Sequence, residues 1–74
     1  MNRLKMLRIK KGYTEIEIAT FLHISKEIYL EYENEKRKIP LKVFIFLSRF
    51  YNTSIDYIIN DTNFKNPHEK KYKI

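Results

Sequence analysis

The stretch from Ile24 to Pro40, which reads ISKEIYLEYENEKRKIP, is rich in charged side chains that could form ion pairs and hydrogen bonds with a ligand. Residues 24–35 hold one lysine and four glutamates, a local charge of −3, whereas the other residues hold fourteen basic and five acidic groups, a charge of +9. Small basic domains attract polyanions, most often nucleic acid and next an anionic membrane surface. The sequence therefore predicts a nucleic-acid-binding surface that contains an unexpected acidic segment.

Reactive sites of other kinds have no support in the residues. The chain has no cysteine, which excludes disulfides, thiolate nucleophiles and thiolate metal ligands. His23 and His68 are not in an H-E-x-x-H spacing, so neither a metal site nor a cofactor is predicted. The single glycine, Gly12, excludes a glycine-rich phosphate loop, and no Ser-His-Asp grouping can be argued. We expect a protein that is not an enzyme.

Composition is typical of one small soluble domain. The 74 residues are 43% hydrophobic and 32% charged, with a mean hydropathy of −0.54. A domain of this size buries only about 60% of the surface that its unfolded chain exposes. The sequence contains neither an apolar run long enough to span a bilayer nor a signal-peptide pattern, so we expect a cytoplasmic protein with no membrane partner.

The elements that must position the charged segment are helices. Residues 2–11 place apolar side chains on one face and are followed by Gly12, which suits the left-handed end of a helix. A second helix is predicted to begin at a capping box formed by Thr14 and Glu17. Ser25 is the predicted N-cap of a third helix that extends to about Asn34.

Two more helices are predicted in the second half of the chain. Pro40 suits the first turn of a fourth helix that runs to about Tyr51. Its predicted core face consists of Phe44, Leu47, Ser48 and Tyr51. Ser54 is the predicted N-cap of a short fifth helix, from which Ile55 and Ile58 turn inward. The expected fold class is all-α.

Two helices joined by three residues, the second entered through a serine cap, form the arrangement of a DNA-binding helix-turn-helix. Four fragments in order, LRIKKGYT, IATFLHIS, YENEKRKIP and FYNTSIDYII, resemble the phage repressor and Cro-type helix-turn-helix family, also called the xenobiotic-response-element or lambda-repressor-like family. The resemblance covers residues 3 to about 60 and implies a compact five-helix domain. We expect residues 1–61 to form this domain and residues 62–74 to form a basic, flexible tail.

The resemblance also implies roles for two of the charged residues. Arg8 and Glu33 match a buried ion pair that ties the first helix to the recognition helix, which would make Glu33 structural. Glu35 matches a position where the family usually has a glycine, and we expect it at the exposed C-terminal end of that helix.

Base-reading positions in the family match the third helix of this chain. Lysine can donate to guanine O6 and N7, and glutamate can accept from cytosine N4, so the resemblance predicts selectivity for G·C pairs. The alternative is that Glu27 favours the helix N-terminus and Glu31 is only a solvated residue. The residues predicted to read bases are Lys26, Glu27, Ile28, Leu30 and Glu31.

Most of the affinity of such a domain comes from phosphate contacts, which must lie beside the acidic helix. Glu15 departs from the family, which usually has a glutamine there, and a carboxylate cannot donate to a phosphate. The residues predicted to contact the DNA backbone are Tyr13, Thr14, Ser25, Asn34, Lys36, Arg37, Lys38 and Lys42.

An apolar surplus on the fourth helix predicts a second surface. Apolar residues at i, i+3 and i+7 lie off the predicted core face, and a small domain rarely leaves such a patch bare. The alternative is that an unusually apolar helix wraps the core. The residues predicted to form a homodimer interface are Val43, Phe46, Phe50, Tyr57 and Ile59.

These features together predict a sequence-specific, double-stranded DNA-binding transcriptional regulator, acting as a dimeric repressor on a pseudo-palindromic operator. An alternative is a protein-interaction module, such as an antitoxin-like subunit, which keeps the fold but binds a protein partner. Glu15, Glu27 and Glu31 favour that alternative. A third possibility is binding to an anionic membrane surface through the basic ends of the chain.

Overall fold

Five helices form in the order that the sequence patterns predict. The structure is a computed structural model that describes residues 2–59. Its helices are α1 (Leu4–Lys10), α2 (Glu15–Leu22), α3 (Lys26–Glu33), α4 (Leu41–Phe50) and α5 (Ile55–Ile58). No strand occurs in the described residues, and the all-α prediction is confirmed. The tail predicted at residues 62–74 lies outside the described residues.

Side-chain caps fix where three of the helices begin. Thr14 Oγ1 accepts from the Glu17 backbone N–H at 3.1 Å, and Glu17 Oε1 accepts from the Thr14 backbone N–H at 2.8 Å. The predicted capping box is therefore present. The hydroxyl oxygens of Ser25 and Ser54 accept in the same way at the starts of α3 and α5, as predicted. Caps of this kind each stabilise a helix by about 1 kcal/mol.

Residues with positive φ follow the first four helices and redirect the chain. Gly12 has φ +82° after α1, the left-handed conformation predicted for it. His23, Glu35 and Asn52 take φ values of +59°, +58° and +52° after α2, α3 and α4. Glycine adopts this conformation without steric penalty, whereas a residue with a Cβ does so at a cost of about 1 kcal/mol or more. Glu35 is exposed at the end of α3, as expected.

The core draws on all five helices. It consists of seven aliphatic residues and four tyrosines. The buried residues are Leu4, Leu7, Ile18, Ala19, Tyr29, Tyr32, Val43, Leu47, Tyr51, Tyr57 and Ile58. The longest helix, α4, has only ten residues, and no helix within residues 2–59 is long and apolar enough to cross a membrane.

The buried face of α4 differs from the predicted one. Val43 is buried together with Leu47 and Tyr51, whereas Phe44 is only half-buried. Seven of the ten residues in α4 are apolar, so more than one face of the helix could pack against the core. The packing of α4 in the domain fixes its rotation instead, and it places Val43 inside.

The predicted dimer interface does not form one continuous surface. Val43 and Tyr57 are each only 8% exposed, so their expected place on a free surface is corrected: both belong to the core of the monomer. Ile59 is exposed but lines a pocket together with Phe44. Phe44 and Phe46 are two positions apart on a helix and point in nearly opposite directions. Phe46 and Ile59 therefore lie on different sides of α4.

Contacts of Asn2 and Arg3 connect the start of the described chain to its other end. The Arg3 backbone N–H donates to the Ile58 carbonyl oxygen at 2.7 Å, and Arg3 Nη1 donates to the Tyr57 carbonyl oxygen at 3.1 Å. Asn2 Nδ2 donates to the Tyr32 carbonyl oxygen at 2.9 Å. These bonds hold α1 against the ends of α3 and α5.

Candidate nucleic-acid interface

A three-residue turn sets the angle between α2 and α3. The His23 N–H donates to the Thr20 carbonyl oxygen at 3.1 Å, and the Ile24 N–H donates to the Ala19 carbonyl oxygen at 3.0 Å. Ile24 is half-buried against the core, and Ser25 then caps α3. The two helices are thus held as one unit, with α3 presented on the outside of the domain as a helix-turn-helix requires.

A buried ion pair attaches α1 to α3. Arg8 Nε lies 2.7 Å from Glu33 Oε2, and the two side chains are only 9% and 4% exposed. Arg8 Nη1 also donates to the Tyr13 carbonyl oxygen at 3.1 Å. The hydrogen bond to the Glu33 carboxylate raises the pKa of the Arg8 guanidinium above its ordinary value. The structure therefore brings together the two residues that the resemblance implied as partners, and the pair fixes the position of α3.

Glu15 lies beside the same guanidinium, which the sequence did not indicate. Its Oε2 atom is 3.7 Å from Arg8 Nη2, and its side chain is partly exposed. From the sequence, Glu15 was expected to be a lost phosphate donor and a feature that favours a protein partner. The first residue of α2 and the middle of α1 are brought together by tertiary packing alone, so no spacing in the sequence gives this contact.

Two buried tyrosines lie in the electrostatic surroundings of this ion pair. The Tyr29 and Tyr51 hydroxyl oxygens are buried and have no hydrogen-bond partner within residues 2–59. Burial raises the pKa of both hydroxyls well above the ordinary value. The Glu33 carboxylate raises the pKa of Tyr29 further, whereas the Arg8 guanidinium opposes the rise in the pKa of Tyr51. Both tyrosines therefore stay neutral over the physiological pH range and act as packing residues behind α3.

The residues predicted to read bases fall into three environments. Lys26 and Glu27 are exposed at the start of α3. Ile28 and Leu30 are half-buried, and Ile28 packs against the core. Glu31 is bound by Arg37, whose Nε donates to Glu31 Oε1 at 2.5 Å. Only Lys26 and Glu27 thus combine exposure with a polar group that has no partner among the described residues.

Five of the residues predicted to contact the DNA backbone are exposed after α3. They are Asn34, Lys36, Arg37, Lys38 and Lys42. The hydroxyl oxygens of Thr14 and Ser25 accept bonds from helix N–H groups, which leaves each hydroxyl hydrogen able to donate to a phosphate. Positive charge therefore flanks the acidic helix at its C-terminal side.

Four aromatic rings from α2, α4 and the turn before α2 pack together, and we call Tyr13, Phe21, Phe46 and Phe50 the aromatic patch. Tyr13 and Phe50 are half-buried against the core. The Tyr13 ring centroid is 5.8 Å from that of Phe21 and 5.2 Å from that of Phe50, and the Phe46 ring stacks on Phe50 at 5.7 Å. Phe21 and Phe46 are 43% and 40% exposed. The ring of Tyr13, predicted to touch phosphate, packs in this patch. Phe21 was not predicted as part of any surface, because α2 and α4 are distant in sequence.

Metal-ligating side chains are not gathered anywhere in the described part of the chain. No group of three or more His, Asp or Glu residues within residues 2–59 is arranged to hold a metal ion.

Comparisons with known proteins identify relatives of this arrangement. A helix-turn-helix family profile matches residues 4–58, a range that begins with α1 and ends with α5. The uncharacterized HTH-type transcriptional regulator YobD of Bacillus subtilis is 37% identical over 88% of this chain and 58% of its own length. The SPbeta prophage-derived uncharacterized HTH-type transcriptional regulator YonR of the same organism is 36% identical over 82% of the chain and 56% of its own length. The HTH-type transcriptional regulator ImmR, also of Bacillus subtilis, is 39% identical over 77% and 45%.

The chain spans about half the length of the curated relatives that it matches. No solved structure matches it significantly.

Proposed function

The chain belongs to the helix-turn-helix family, and on that premise we propose that it is a sequence-specific, double-stranded DNA-binding transcriptional regulator. Its action is that of a repressor in the cytoplasm, which occupies a pseudo-palindromic operator as a dimer. No catalytic step is part of this function. The names of relatives that are HTH-type transcriptional regulators support the proposal.

The observation that carries the proposal is the fixed position of α3. The buried pair of Arg8 and Glu33 holds one side of the helix, and the turn from α2 holds its start. The exposed side then offers Lys26 and Glu27, a donor for guanine and an acceptor for cytosine N4. A rigid helix with free polar groups at its N-terminal end is what major-groove reading requires.

Phosphate contacts come from the exposed basic residues after α3. Lys36 and Lys38 precede α4 on the loop that follows the recognition helix. Each lysine that neutralises a phosphate releases a counterion. For each such contact, the logarithm of the binding constant therefore falls by about 0.9 for every tenfold rise in salt concentration. These contacts supply affinity without sequence preference, while the acidic helix lowers affinity for sequences that do not match it.

Dimerisation rests on the aromatic patch, which keeps only Phe46 and Phe50 of the five residues expected from the sequence. Phe46 is exposed, Phe21 adds an exposed ring from α2, and the half-buried ring of Phe50 contacts both. Burial of such rings between two copies would place two recognition helices about 34 Å apart, one turn of B-DNA.

The decisive experiment is selection from a random duplex pool at near-physiological salt, followed by sequencing of the retained DNA. We expect a palindrome with half-sites about one helical turn apart. An exchange of Lys36 and Lys38 for glutamine should weaken binding to every duplex and reduce the salt slope by about 1.8. The matched control replaces the exposed α1 residues Lys5 and Lys10 with glutamine, which removes the same charge from another part of the surface. Equal losses in both double variants would contradict the assigned phosphate surface.

A second candidate function is a protein-interaction module of the antitoxin-like kind. The observation in its favour is the aromatic patch, which gives a partner protein an apolar surface beside the acidic side chains of α2. This function predicts that the pool yields no motif and that DNA retention is weak and steeply dependent on salt.

A further inference from the structure

An ion pair connects the base-reading side of α3 to the basic loop that follows it. Arg37 Nε lies 2.5 Å from Glu31 Oε1, and the two side chains are 49% and 43% exposed. Arg37 lies beyond the end of α3, so the contact folds its side chain back toward the helix. Glu27, one turn earlier on the same helix, has no such partner among the described residues.

The geometry of this pair leaves most of the guanidinium free. Arginine carries five N–H donors, and the bond to Glu31 uses the one on Nε. The donors on Nη1 and Nη2 of Arg37 make no hydrogen bond within residues 2–59. Such a planar fork fits guanine O6 and N7 in the major groove, which is the commonest specific contact between a side chain and a base.

Glu31 is thereby a poor candidate for reading a base by itself. One of its oxygens already accepts a short charge-assisted bond, and the cation beside it competes with the weaker amino donor of cytosine. The same bond restricts Arg37, whose side chain would otherwise sample many rotamers in solution. The Glu31 carboxylate therefore cancels part of the positive charge at the DNA surface, but it holds the Arg37 guanidinium in one place.

We infer that Glu31 is a positioning residue, which holds Arg37 at the groove so that Arg37 reads a guanine. The inference rests on the proposed DNA-binding function, and it replaces the independent reading of cytosine expected for Glu31 from the sequence. It also accounts for one glutamate on a helix that faces a polyanion.

Base preference at each operator position tests the inference in the full chain. The variants are Glu31→Gln, Arg37→Gln, Arg37→Lys and the double exchange of Glu31 and Arg37 for glutamine. Glu27→Gln is the control for charge alone, because it removes the same charge from the same helix where no pair exists. Since Glu27 is proposed to read a cytosine, its variant should change preference at that position and leave the preference for the Arg37 guanine intact. Thermal melting of each variant verifies that it is folded, which is expected since both members of the pair are exposed.

The expected result is a loss of preference for one and the same guanine in every variant of the pair. The loss is between about fivefold and about 150-fold, the range of a good bidentate contact. The double variant should lose no more of the guanine preference than Arg37→Gln alone. Arg37→Lys keeps the charge, so it should lose the guanine preference while the salt slope stays unchanged.

Two results would overturn the inference while the proposed function stands. One is that Glu31→Gln tightens binding to all sequences equally, as removal of a repelling charge does, with the guanine preference unchanged. The other is that Arg37→Gln weakens binding to all sequences equally and lowers the salt dependence of binding, which would make Arg37 a phosphate contact. A wild-type protein that enriches no motif would instead refute the proposed function, and the inference would fall with it.

Discussion

Replacement of Arg8 by alanine tests the contact that fixes α3 most directly. The change removes the partner of a Glu33 carboxylate that is only 4% exposed, and it removes the donor to the Tyr13 carbonyl oxygen. Glu15 loses its nearby cation as well. A buried carboxylate without a partner is strongly destabilising because water cannot solvate it.

The expected loss is large relative to the stability of so small a domain. Breaking a buried pair by removing one partner costs about 3 to 5 kcal/mol. At about 0.05 to 0.15 kcal/mol per residue, this chain of 74 residues has a total stability of about 4 to 11 kcal/mol. A domain of this size loses about 4 to 8 °C of melting temperature per kcal/mol, so we expect Arg8→Ala to melt at least about 12 °C lower than the wild type.

Thermal melts followed by far-ultraviolet circular dichroism measure this loss. The control is Glu31→Ala, which breaks an exposed pair worth at most about 1 kcal/mol. A second variant, with both Arg8 and Glu33 replaced by methionine, removes the buried charges together and should recover most of the stability. Equal melting temperatures for Arg8→Ala and Glu31→Ala would refute the structural role of the pair. If the double variant is less stable than Arg8→Ala, the unpaired Glu33 carboxylate is not the cause of the lost stability.

Further predictions concern assembly, pH and the tail. Phe46→Glu should give a soluble monomer in sedimentation experiments, and a wild type that is already monomeric, or an unchanged mass, would contradict the predicted dimer. Because burial raises the pKa of Tyr29 and Tyr51, the unfolded chain loses protons above about pH 10 that the folded chain keeps. Stability should then fall by about 1.4 kcal/mol per pH unit for each tyrosine, and Tyr51→Phe should halve the slope in urea titrations. A flat profile would refute the buried environment of these hydroxyls. Removal of residues 62–74 should flatten the salt dependence of DNA binding if the tail contacts phosphates, and an unchanged slope would show that it does not.

Local sequence signals were sufficient for the helices and their ends. Thr14, Ser25 and Ser54 act as caps through bonds to N–H groups three residues away, and Gly12 takes the conformation that its missing Cβ permits. Such interactions depend on neighbours along the chain, so they can be read from the sequence. The family resemblance, confirmed by the profile match over residues 4–58, added the order and the partnership of distant residues.

The rotation of α4 was decided by tertiary structure. Val43, Phe44, Phe46 and Phe50 are all apolar, and the hydrophobic pattern gave no reason to bury Val43 and expose Phe46. Packing against the rest of the domain selected the face that is buried. The residues of the predicted dimer surface were divided between the core and the surface for this reason.

The sequence by itself therefore determined the all-α fold class, the starts of the capped helices and the basic charge that suits a polyanion. Beyond the pair of Arg8 and Glu33 that the resemblance implied, only the tertiary structure decided which charges meet. Glu15 lies beside Arg8, and Glu31 is bound by Arg37 at the exit of α3. The physical reason is that a helix cap involves neighbours in the chain, whereas an ion pair needs two side chains within about 4 Å, a distance set by how whole helices pack.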